Sequence, residues 1–145
     1  MNNCTFARSS SAIALLLAPL LLIGCGDPDA PEIARVTGQV TRGGKPVPNL
    51  TVNYMPTDGR PSWGITDSQG NYELEYNADY KGAKVGHHKV YVVFNPTSID
   101  GSIGDVEGLT TEDRRAIQQK YGSEQTTPLE VDVTEDRQVI DLELD

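Results

Sequence analysis

The chain has 145 residues, 21 of them acidic and 12 basic, for a formal charge of −9. That length suits one cored domain rather than two, and the acidic balance excludes a nucleic-acid binder, whose phosphate contacts need a basic face. The two cysteines make no disulfide framework, and 37% apolar residues arranged in strand-like runs exclude a disordered chain.

Met1 to Ser11 is polar with a single charge, Arg8, and Ala12 to Ile23 is an apolar run interrupted by Pro19. The run is shorter than the roughly 20 residues that span a bilayer and has the length of a signal-peptide core. It ends in Leu22-Ile23-Gly24-Cys25, which resembles the lipobox of bacterial lipoproteins: Leu, a small or aliphatic residue, Gly or Ala, then Cys. The resemblance implies cleavage between Gly24 and Cys25 and a diacylglyceryl thioether on the Cys25 thiol. Small Gly24 leaves room for the peptidase, and Cys4 falls in the removed segment. Residues 1–24 are thus expected to be a signal peptide. Residues 25–34, with two prolines, three acids and no apolar periodicity, are expected to be a tether. The product is expected to be exported and held at the cell envelope by its lipid, because an acidic chain is repelled by an anionic surface.

From Val36 the pattern is strand and turn. Val36 to Thr41 alternates, Gly43-Gly44-Lys45-Pro46 is a turn, and Leu50 to Met55 alternates with Leu50, Val52 and Tyr54 on one face. Residues 56–61 read as a loop, Trp63 to Thr66 as a short strand, and Asp67-Ser68-Gln69-Gly70 as a turn. Tyr72 to Tyr76 has strict period two, with Tyr72, Leu74 and Tyr76 facing the core. His88 to Phe94 is a dense β-former run, expected to be a central strand buried on both faces. Thr110 or Thr111 caps a single helix with Glu112 and Asp113 in its first turn, Gly122 ends it, and Ile117 and Tyr121 share a face. Leu129 to Val133 and Val139 to Leu144 read as two closing strands. About seven short strands with frequent turns predict an antiparallel β-sandwich or barrel.

Several segments together resemble the carboxypeptidase regulatory-like domain, in the version found in short bacterial lipoproteins. They are Val36-Thr37-Gly38-Gln39-Val40, Gly44-Lys45-Pro46-Val47-Pro48-Asn49, and Thr66-Asp67-Ser68-Gln69-Gly70-Asn71-Tyr72-Glu73-Leu74. Gly86-His87-His88-Lys89-Val90 and the closing strands extend the resemblance. It covers residues 35–145 and implies a seven-stranded Greek-key sandwich of transthyretin type, with one short helix in a long connection. It implies little about function, because that fold hosts many. The turn motif itself reads as structural. Asp67 accepts from backbone N–H groups of its own turn, Gly70 supplies a positive φ, and Tyr72 enters the core.

Little in the sequence points to chemistry. His87 and His88 are adjacent, so on a strand they face opposite ways and do not share a metal. The Asp67 turn lacks EF-hand spacing, and neither a nucleophile elbow nor a phosphate loop is present. The enzyme branch of the transthyretin-like fold, the 5-hydroxyisourate hydrolases, ends in Tyr-Arg-Gly-Ser, whereas this chain ends Asp141-Leu142-Glu143-Leu144-Asp145. A non-catalytic envelope module without metal or cofactor is therefore expected, its partner an envelope protein or glycan. Its contact is expected in the acidic stretch at Asp100, Asp105 and Glu107, the equal alternative being that the segment from Asn95 to Thr127 only covers a sheet edge. The alternative is a carbohydrate- or calcium-binding module, for which Trp63, Tyr54 and Tyr80 offer a sugar-stacking platform, although the alternation that sets Tyr54 with Leu50 and Val52 points to core packing for it.

Overall fold

Alternating apolar residues make most of the chain from Ile33 onward extended, and the computed structural model describes residues 31–96, 106 and 108–145. In chain order the strands are β1 (Ile33–Ala34), β2 (Val36–Arg42), β3 (Lys45–Pro46), β4 (Leu50–Pro56), β5 (Ser62–Ile65), β6 (Asn71–Glu73), β7 (Ala83–Lys84) and β8 (Gly86–Phe94). The helix α1 (Thr111–Tyr121) follows, then β9 (Glu130–Val133), β10 (Gln138–Val139) and β11 (Leu142–Glu143). No described helix is long and apolar enough to cross a membrane.

Two main layers share one apolar core. One is the antiparallel sheet β5-β4-β8-β9, and the other is built around β2, which pairs with β3, β6, β10 and β11. Val36, Val40, Leu50, Val52, Tyr54, Leu74, Val90 and Val92 are all buried between them. A third, two-stranded sheet pairs β1 with β7, Ile33 opposite Lys84. The Glu32 carbonyl accepts from the Val85 N–H at 2.8 Å, so pairing with the fold already includes the residue before β1. Part of the expected tether, Ile33 and Ala34, thus belongs to the fold, and Ala34 is buried.

Three further expectations change. β8 is central but not buried on both faces: His88, Val90, Val92 and Phe94 point inward, while Lys89, Tyr91 and Val93 stay half-exposed. An antiparallel sheet keeps one wet face, and a dense β-branched run does not by itself show whether that face is covered. The Tyr72 strand ends at Glu73. Leu74 stays buried, but Glu75 bridges to Trp63 in the other layer, and Tyr76 is half-buried under the Arg60 guanidinium. The closing strand splits into β10 and β11, and both run parallel to β2 rather than antiparallel. Between them Asp141 turns its carboxylate to the Gln39 N–H at 2.9 Å, and the Ile140 carbonyl crosses over Gly38. A Cβ at Gly38 would sit 1.8 Å from that carbonyl oxygen, so glycine is required for the approach.

The helix closes one side of the molecule. Thr110 caps it in a reciprocal capping box with Asp113, and Gly122 ends it. Its buried residues Ile117 and Tyr121 enter the core as the helix packs on β8. Arg42 of β2 pairs with Asp113 at 3.1 Å, and Lys120 with Asp145 at 2.8 Å, so the same helix is also tied to the β2 layer.

Candidate functional site

The turn between β5 and β6 is built from its own polar groups. Asp67 Oδ1 accepts the N–H of Gln69 at 2.8 Å and of Asn71 at 2.9 Å. These backbone donors hold its carboxyl below the usual carboxylate range. Gly70 sits at φ +75°, and its carbonyl accepts the Val40 N–H at 2.8 Å. A Cβ there would lie 2.6 Å from the Val40 carbonyl oxygen. The carboxylate of Asp67 is committed to the turn, which sets the strand carrying Tyr72.

Tyr72 joins the two layers through a short polar relay. Its hydroxyl donates to the Ile140 carbonyl at 2.6 Å and lies 2.8 Å from the Tyr54 hydroxyl. With its one proton spent on Ile140, Tyr72 is the acceptor, and Tyr54 donates to it. Burial pushes the Tyr54 hydroxyl up to about 12 and raises Tyr72 as well. Neither phenol ionises near neutrality, so the pair works as a cross-layer clamp rather than as an acid or base.

The two histidines separate as neighbours on a strand must. His87 is exposed, with Nδ1 at 2.8 Å from Asp132 and Nε2 at 3.6 Å from Glu130. His88 is buried beside the Tyr54 ring, and its Nε2–H donates to the Lys84 carbonyl at 2.7 Å. Its Nδ1 has no partner among the described residues, and burial lowers the imidazole pKa. Among the described residues no group of three or more His, Cys, Asp or Glu side chains is placed to hold a metal ion.

The outer face of the four-stranded sheet carries Trp63, the one exposed Phe, Tyr or Trp side chain on a described strand. On β5, Ser62 and Gly64 are buried while Trp63 and Ile65 face out, 43% and 52% exposed. Register sets Asn53 directly opposite Trp63 on one side and Tyr91 on the other. One row is thus Trp63-Asn53-Tyr91, and the next is Ile65-Thr51-Val93. Asn53 donates one amide hydrogen to the Thr51 carbonyl at 3.3 Å, and among the described residues its Oδ1 has no partner.

Of the three aromatics weighed for a platform, Tyr54 is in the core as its alternation indicates, and Trp63 is the one on this face. Tyr54 is fully buried with Tyr72, and Tyr80 is exposed in the turn beyond β6, where its carbonyl accepts from Tyr76 and Asn77. Tyr91 and Asn53 take their places beside Trp63. Their signal in the sequence is strand phase, since both alternate out of register with the core residues Tyr54 and Val92, but the pairing of β4 with both neighbours is needed to align them. Gly24, Cys25, Asp100, Asp105 and Glu107 lie outside the described residues.

No family model matches the chain, and neither a curated protein nor a solved structure does.

Proposed function

We propose that the chain is a non-catalytic lipoprotein of the bacterial cell envelope, anchored through Cys25 and presenting its β-rich domain as a binding or structural module. The observation that carries the reading is Leu22-Ile23-Gly24-Cys25 at the end of an apolar run too short to span a bilayer. An acidic chain gains nothing from an anionic membrane surface, so a covalent anchor supplies the attachment. The fold is read as a Greek-key sandwich of transthyretin type. Supporting this are the turn motif from Thr66 to Leu74, the two layers across one core, and a single helix in the long connection after β8. Among the described residues, the Tyr54 and Tyr72 hydroxyls and His88 Nε2 bond each other or backbone carbonyls, which suits support of the fold.

The test is mass spectrometry of the protein isolated from membranes. The expected product begins at an acylated Cys25, and Cys25→Ser is expected to leave the membrane fraction or to remain unprocessed. A serine variant that is processed and retained like the parent overturns the reading.

A further inference from the structure

We infer that the outer face of the β5-β4-β8 sheet, centred on Trp63, Asn53 and Tyr91, is a binding site for a neutral glycan. This rests on reading the chain as a non-catalytic binding module and adds the ligand class and its residues. Adjacent strands lie about 4.8 Å apart, so Trp63 and Tyr91, separated by β4, stand about 10 Å apart. Between them is an amide whose oxygen remains available. Two aromatic residues with a hydrogen-bonding group between them suit a chain of sugar rings. Each ring offers an apolar C–H face for stacking and hydroxyls at its edge for the amide.

Charge and area decide among the occupants. The protein carries −9 overall, which disfavours nucleotides, phosphosugars and other anions. Glu75, opposite Trp63 on its other side, and Lys89, facing out from β8 beside Tyr91, flank the row with one charge of each sign, which selects neither an anion nor a cation. Among the described residues, Trp63 and Ile65 are the large apolar side chains exposed on this face, a narrow apolar strip beside polar Asn53 and Thr51 rather than the broad apolar centre of a stable protein interface. A neutral, ring-built ligand is the remaining class.

Trp63 is the only tryptophan of the chain, so its fluorescence reads the site directly. The purified full chain is titrated with neutral oligosaccharides of the cello-, chito- and malto- series, followed by tryptophan emission and by calorimetry. The expected result is a saturable blue shift with at least one series. Tyr91→Ala and Asn53→Ala are each expected to weaken binding fivefold or more, at about 1 kcal/mol per fivefold change, with unchanged melting. Tyr80→Ala, exposed away from this face, is expected to bind like the parent. Absence of any emission change or heat up to roughly 10 mM sugar overturns the proposal, as does binding that survives both substitutions. Loss of self-association in Trp63→Ala, without sugar binding by the parent, assigns the face to a second copy and also overturns it. Acylation of Cys25 is measured separately, so failure here leaves the anchoring reading intact.

Discussion

Gly70 and His88 show how far single positions in this domain are constrained. At φ +75° a β-branched residue is strained by its own backbone, and its Cβ would press on the Val40 carbonyl. Gly70→Val is expected to lower stability by at least ~2 kcal/mol, read as a shift in urea midpoint at unchanged slope. His88 is held neutral by burial, so its folded pKa lies below the unfolded value of about 6.5. The unfolded chain therefore takes up a proton that the native chain resists. Stability is full above about pH 6.5 and falls as the pH drops from there through the lower folded value. The tyrosine clamp has the mirror behaviour. Unfolded phenols ionise near 10, native Tyr54 only near 12, so stability falls as pH rises through that interval. Urea midpoints at pH 7.5, 5.5 and 11 check both arms. His88→Leu is expected to flatten the acid arm alone.

Among the elements, the helix and the turns are the parts most legible in the sequence, because their signals are local. Thr110, Asp113 and Gly122 mark the helix ends through short-range bonds, and Ile117 and Tyr121 mark its buried face by spacing alone. Thr110→Ala removes the acceptor for the Asp113 N–H and is expected to cost ~1 kcal/mol. Ile117→Ala empties a fully buried site and is expected to cost ~3 kcal/mol. Thermal melts of the two variants check the ranking. The closing strand is less legible because its interruption depends on distant partners. Nothing near Ile140 in the sequence announces that its carbonyl will receive the Tyr72 hydroxyl, 68 positions away. The same holds for the exposed row. Trp63, Asn53 and Tyr91 come from three strands, and only the register of β4 with both neighbours brings them into line.

At the scale of the whole molecule, the β2 layer depends on the end of the described chain. β10 and β11 flank β2, Leu142 and Leu144 are buried, and Asp145 meets both Lys120 and Tyr121 of the helix. Removing residues 138–145 exposes one long edge of β2 and removes the helix's contacts with Asp145, leaving the Arg42–Asp113 pair to hold it to that layer. The shortened chain is expected to lose cooperative melting and to be digested by protease at concentrations that spare the parent. Retained cooperativity would mean that the β5-β4-β8-β9 sheet carries the fold by itself.

The pairing of β2 with β10 and β11 also sets an order of events. The Asp136 carboxylate reaches the Arg35 N–H across 101 positions, and Asp141 reaches Gln39 across 102. Contacts of such high contact order form late, because a long loop must close before any of them is rewarded. The first long strand to be synthesised therefore waits, with one edge open, for partners that emerge about a hundred residues later. For a chain proposed to be exported to the cell envelope, the sheet around β2 therefore stays incomplete until residues 138–143 are present to pair with it.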